Sequence, residues 1–191
     1  MLDRSACGKS LRTESIEHRL GIRAGDVGSI FMNGVEVPEA NRIGDEGDGF
    51  KIAMNCLDNG RYTVGAGATG TVRACLDVSV KYARERKTFG QEIGRYQLVQ
   101  QMIARMSRDY EICRLLYFKV AWMKNTGQRH TREVSMSKQY ATDAAFNAAS
   151  DAVEVHGAYG YSAEYPVERF LRNSRAPIIY EGTREVHTVL Q

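Results

Sequence analysis

From Phe50 onward, apolar side chains return every three or four positions: Phe50, Ala53, Cys56 and Leu57, then Val64, Ala68, Val72, Cys75, Leu76 and Val80. That spacing follows the turn of an α-helix and predicts one long amphipathic helix running through to Glu85. A second stripe passes through Leu98, Met102, Met106, Cys113, Leu116, Tyr117 and Val120. The third, Tyr140, Ala141, Ala144, Ala145, Ala148 and Ala152, consists mostly of small residues, so neighbouring helices can approach it closely. A fourth segment is broken near Ala176-Pro177 and resumes around Gly182. Gly90 to Gly94, Asn125 to Thr131 and the stretch GAYGYSAEYP separate these segments. Long helices joined by short loops pack antiparallel with crossing angles of roughly 20°. The predicted fold is therefore mainly α, an up-and-down four-helix bundle.

The first part of the chain has a different pattern. SIFMNGVEV places Asn33-Gly34 between two short β-prone runs, which predicts a tight hairpin. The expected organisation is a β segment over residues 1–46 and a helical bundle over residues 47–191.

Composition narrows the function classes. With 26 basic and 23 acidic residues the net charge is only +3, too little to imply a nucleic-acid partner. No apolar run approaches the roughly 18 residues of a membrane span, and no signal peptide pattern opens the chain. A soluble intracellular protein is expected. Cys7, Cys56, Cys75 and Cys113 form no C-x-x-C pair and have no histidine at ligand spacing, so neither a metal site nor a disulfide framework is predicted. Buried reduced thiols are expected instead.

One motif invites a nucleotide-binding reading. Gly65, Gly67 and Gly70 fall in the order G-x-G-x-x-G, with Glu85 twenty positions after the first. A dinucleotide-binding turn needs a buried apolar strand before it, whereas LDNGRYTV is polar and the following residues keep a helical period. These glycines are read as helix residues that permit close packing, at about 1 kcal/mol each relative to alanine.

Three other stretches could carry chemistry. ERKTFG places Arg86 and Lys87 at a helix end beside a hydroxyl, a ring and a glycine. Such cations either favour the negative helix terminus or form a site for phosphate and an aromatic heterocycle. In IIYEGTRE, Glu181 lies between an apolar approach and Gly182-Thr183, where a helix could restart with Thr183 as its cap. A carboxylate enclosed by apolar walls is a candidate general base, and a capping or surface acid is the alternative. LDNGR sets Asp58 and Arg61 on one helical face, as an ion pair or as a polar ligand site. His18, His130, His156 and His187 are far apart in sequence, and none belongs to a ligand motif.

Taken together and in order, LDNGRYTVGAGATG, YARERKTFGQEIGRYQLVQ and VHGAYGYSAEYPVERFLRNSRAPIIYEGTRE resemble the acyl-CoA dehydrogenase family. The resemblance runs from about Leu20 to the end of the chain. It implies the end of a middle β domain followed by a C-terminal four-helix bundle, with no counterpart for the family's N-terminal helices and early β strands. It also implies FAD-dependent α,β-dehydrogenation of an acyl-CoA thioester, with electrons passed to an electron-transferring flavoprotein. By the same resemblance Glu181 is the base, while Asp58, Arg61 and Gly182 are substrate-binding. Arg86, Thr88, Phe89, Gln97, Glu154, Val155, His156, Gly157, Thr183 and Glu185 would contact FAD, with His156 and Ala158 replacing an expected glycine-rich form. Some relatives place the base at the position of Gly60, where glycine cannot serve. A homodimer or homotetramer is implied, located in the cytoplasm of a bacterium or archaeon or in a mitochondrial matrix. EGTREVH, with His187, is reminiscent of the glutaryl-CoA dehydrogenase branch. The alternative reading is a non-catalytic helical assembly module that keeps the fold without binding flavin.

Overall fold

A computed structural model describes residues 10–191. Strand β1 (Leu11–Ser15) pairs antiparallel with β2 (Gly28–Met32), Leu11 opposite Met32 and Ser15 opposite Gly28. Helix α1 (Gly49–Glu85) follows, then the small ladder of β3 (Lys87–Thr88) and β4 (Gln91–Glu92). The chain continues through α2 (Gln97–Asn125), α3 (Thr131–His156), α4 (Val167–Ser174) and α5 (Arg184–Val189).

The three long helices pack on one another, and the shorter α4 and α5 lie chiefly against α3. Their core joins Val72 and Cys75 of α1 to Met106 and Cys113 of α2 and to Ala141, Ala145, Ala148, Ala149 and Ala152 of α3, closed by Val167 of α4. The alanine stripe explains why α3 is the shared element. Methyl-sized side chains bring its backbone close to both neighbours, and the dispersion contacts of a dense interior follow. The fourth side is segmented, as the break at Ala176-Pro177 predicts. Pro177 starts a short 3₁₀ turn, Ala176–Ile178, because a proline ring suits the first turn of a helix but not its interior.

Three sequence expectations need correction. Asn33-Gly34 does not join two strands. Gly34 has a left-handed φ of 63° but Asn33 does not, and a two-residue hairpin turn of this type requires both. The ladder partner of β2 is β1, and residues 35–37 leave without pairing. Second, the thiols are not all buried. Cys75 and Cys113 are enclosed, and burial pushes each up to about 12, whereas Cys56 is exposed. It belongs to the first turns of α1, whose apolar stripe is left uncovered, with Phe50 77% exposed. Cys7 lies outside the described residues. Third, Gly65, Gly67 and Gly70 all lie inside α1, but only Gly65 serves close packing. A Cβ there would stand 3.4 Å from Ser137 Oγ, while Gly67 and Gly70 face open space.

Candidate active site

The geometry centres on the link between the 3₁₀ turn and α5. The Tyr180 N–H donates to the Ala176 carbonyl at 3.1 Å, after which Glu181 and Gly182 both take left-handed backbone, with φ of 57° and 99°. For a residue with a Cβ that conformation costs roughly 1–2 kcal/mol and must be held by its surroundings. Two cations do so. Arg61 of α1 donates from Nε to the Glu181 carbonyl at 3.3 Å, and Lys138 of α3 donates from Nζ to the Gly182 carbonyl at 2.6 Å.

Each cation is itself placed by its helix. Arg61 is buried and pairs through Nη1 with Asp58 Oδ1 at 3.0 Å, one helical turn earlier. The other carboxylate oxygen of Asp58 accepts from Thr131 Oγ1 at 2.8 Å, which ties α1 to the start of α3. Lys138 has no exposed surface. Burial lowers its amine to about 8, the nearby Arg61 charge adds to that effect, and Glu181 and Asp143 oppose it.

The Glu181 carboxylate lies against Gly60, where an added Cβ would fall 2.7 Å from the carboxylate carbon. Its Oε2 is buried and has no hydrogen-bond partner among the described residues. The surroundings are less apolar than the sequence suggests. Ile179 and Tyr180 are exposed, and the enclosed side is occupied by Arg61, Lys138 and His187. His187 of α5 is completely buried, with its ring edge where a Gly182 side chain would otherwise project. Burial, with the charges of Lys138 and Arg61, pushes its imidazole down to about 4, so it is neutral near pH 7. Neither ring nitrogen reaches a partner in good hydrogen-bond geometry among the described residues, although the main chain of Gly182 and Glu181 beside the ring opposes the shift. A cavity of about 410 Å³ between α1 and α4 is lined by Thr63, Val64, Gly67, Phe170, Pro177 and Tyr180, the last of which precedes Glu181 in the chain.

Thr183 occupies the N-cap position of α5 in extended backbone, but no side-chain cap bond forms. Glu185 is exposed, and its own backbone N–H together with the Thr183 hydroxyl holds its carboxyl below the usual range.

The remaining candidates gather at the other end of the bundle. Arg61 and Arg86 stand about 37 Å apart along α1 at 1.5 Å per residue. Arg86 is exposed at the C-cap of α1, with its guanidinium 5.9 Å from the centre of the Tyr159 ring. The Thr88 carbonyl accepts from Tyr96 Oη at 2.9 Å. Phe89 has a left-handed φ of 50° and is 98% exposed, and Gln97 opens α2 on the surface. At the end of α3, Val155 and His156 are buried while Glu154 and Gly157 are exposed. His156 stacks on Tyr82 at 4.2 Å and bonds through Nδ1 to the Ala152 carbonyl at 2.7 Å, leaving Nε2 buried without a partner. The structure thus brings Asp58, Arg61, Glu181 and Gly182 together, with Thr183 and Glu185 following directly. It sets Arg86, Thr88, Phe89, Gln97 and Glu154–Gly157 apart from them.

Sequence reasoning missed Lys138. The signal was present, because Lys138 shares a helical face with Ala141, Ala145, Ala148 and Ala152, and a lysine on a stripe of core alanines needs a buried acceptor. Among the described residues no cluster of metal-ligating side chains occurs, and no helix is long and apolar enough to cross a membrane.

The fold is a helical bundle that carries a partly buried acid on a left-handed turn ahead of α5. Residues 47–190 match the family described as acyl-CoA dehydrogenase, C-terminal domain, and the chain belongs to the acyl-CoA dehydrogenase family. It is 42% identical over 174 residues to an acyl-CoA dehydrogenase of Bacillus subtilis (strain 168), covering 91% of this chain and 46% of that protein. It is 39% identical over 174 residues to the caffeyl-CoA reductase-Etf complex subunit CarC of Acetobacterium woodii, covering 91% of this chain and 46% of that protein. The structure of butyryl-CoA dehydrogenase from Megasphaera elsdenii superposes with a TM-score of 0.91 at 36% identity, over 95% of this chain and 48% of that one. The chain spans about half the length of the curated relatives it matches.

Proposed function

We propose that this chain takes part in the FAD-dependent α,β-dehydrogenation of an acyl-CoA thioester, with Glu181 as the base. The observation that carries this reading is the Glu181 carboxylate, held on a left-handed turn against Gly60 with its Oε2 buried and without a hydrogen-bond partner among the described residues. A proton next to a thioester carbonyl is weakly acidic, so its removal needs a positioned base and hydrogen bonds to the carbonyl oxygen as charge develops. The Glu181 N–H donates to no main-chain carbonyl among the described residues and would meet that oxygen. Arg61 and Lys138 add positive charge behind the turn. Asp58 and Arg61 would meet the polar part of the substrate, and Gly182 the thioester.

The residues at the far end of the bundle fit a flavin dinucleotide. An exposed Arg86 and the exposed ring of Phe89 offer a cation and an aromatic surface for a polyanionic, aromatic ligand. There Arg86, Thr88, Phe89, Gln97 and Glu154–Gly157 would hold FAD, with Thr183 and Glu185 meeting it near the acid. FAD, when bound, supplies the hydride acceptor for the β-hydrogen. Because the two groups lie about 37 Å apart along α1, this reading requires a second copy of the chain to complete each site. The exposed apolar residues of α2, Leu98, Leu115, Phe118 and Trp122, support a homodimer or homotetramer. Residues 1–46 would form the end of a β domain and residues 47–191 the bundle. An electron-transferring flavoprotein would be the electron acceptor, as the CarC relationship suggests, and the location would be cytoplasmic.

The test is Glu181→Gln. The variant should keep a stoichiometric flavin absorbance and lose dehydrogenation of acyl-CoA; full turnover would refute the assigned base. A purified protein that is colourless after flavin reconstitution would favour the non-catalytic module.

A further inference from the structure

Lys138 belongs to no motif of the sequence, yet it is the largest fully buried side chain among the described residues. A lysine enclosed among core alanines is costly unless its ammonium finds acceptors. Its one hydrogen bond among the described residues runs across the bundle to the Gly182 carbonyl at 2.6 Å, as a charged donor favours. That carbonyl ends the pair of left-handed residues whose first member is Glu181.

We propose that Lys138 is a positioning residue for Glu181: its buried ammonium, delivered from α3, holds the Gly182 carbonyl and so fixes the turn that aims the acid. This rests on the reading of Glu181 as the base. Arg61 holds the preceding carbonyl from α1, so two helices grip successive peptide units of one turn. The groups facing Lys138 are Arg61 from α1, Glu181 on the turn, His187 from α5 and Asp143 on its own helix. His187 is neutral near pH 7, which leaves Lys138 as the cation on the Gly182 side. With an amine lowered to about 8, the grip should weaken just above neutrality, because a neutral amine is a poorer donor than an ammonium.

Hydrogen exchange read by mass spectrometry on the full chain, corrected for intrinsic chemistry, tests this without relying on turnover. In wild type, exchange across residues 178–184 relative to α1–α3 should rise as the pH passes 8. Lys138→Met should raise it by about tenfold at pH 7 and abolish the pH step. In the flavin-loaded enzyme the same variant should lower kcat by roughly 10–100-fold with little change in KM. A Lys138→Met variant with unchanged local exchange overturns the proposal. Should Lys138→Met not fold, Lys138→Gln decides by the same local exchange readout. Failure of the base reading is seen separately, as turnover retained by Glu181→Gln.

Discussion

Gly60 of α1 is the floor on which the Glu181 carboxylate rests. A Cβ at position 60 would stand 2.7 Å from the carboxylate carbon and 2.8 Å from Oε1, well inside contact distance. The acid is the flexible end of its side chain, so an intruding methyl group displaces it without breaking the fold. Gly60→Ala should therefore separate stability from function. Alanine within a helix is favoured over glycine by roughly 0.5–1 kcal/mol, which offsets part of the cost of moving the carboxylate. The expected result is a melting temperature within a few degrees of wild type and kcat at least about tenfold lower in the flavin-loaded enzyme. An unaltered kcat would mean that the carboxylate works from another position.

The Asp58–Arg61 pair should respond unequally to loss of its two members. Arg61 is the more deeply buried, at 8% side-chain exposure against 20% for Asp58. Removing the acid leaves a buried guanidinium beside Lys138 with no carboxylate partner and only its long bond to the Glu181 carbonyl, whereas removing the base leaves a carboxylate with its Thr131 hydrogen bond and some access to water. Denaturant unfolding should give a loss of about 3 kcal/mol for Asp58→Ala and a smaller one for Arg61→Leu. The reverse order would show that Arg61 is paired mainly elsewhere.

Stability should rise with pH in two windows. His187 falls from 6.5 unfolded to about 4 folded, so between those values the unfolded chain binds more protons, and stability is lost as the pH drops from 6.5 towards 4. Lys138 falls from 10.5 to about 8, and by the same sign its contribution grows as the pH rises from 8 to 10.5. Unfolding free energies measured across pH should lose the acid limb in His187→Leu and the alkaline limb in Lys138→Met. Parallel curves for wild type and variants would contradict both assignments.

The unlike trends near pH 8 follow from one geometry. Deprotonating Lys138 relieves the cost of burying its charge and steadies the whole bundle, while loosening the single turn that the charge holds.

Much of the fold was legible because α1, α2 and α3 carry their apolar residues at the helical period, and local spacing is a property of the chain alone. The break at Ala176-Pro177 was legible for a similar reason, since proline's ring acts wherever it stands. Asn33-Gly34 misled because a turn signal does not say which strand β2 will pair with. The role of Gly60 was only half visible. Its lack of a carboxylate could be read from the sequence, but the space it leaves for Glu181 could not.

The sequence by itself determined the helical segments and the family resemblance, and it singled out Glu181 as the candidate base. Tertiary structure alone decided that Arg61, Lys138 and His187 meet behind the Glu181–Gly182 turn, and that the cationic, aromatic end of the bundle lies far from it. The reason is physical. Periodicity fixes which side of a helix is buried, whereas the partner of a buried charge is chosen by the docking of elements distant in sequence, where an unpaired ammonium is too costly to leave without an acceptor.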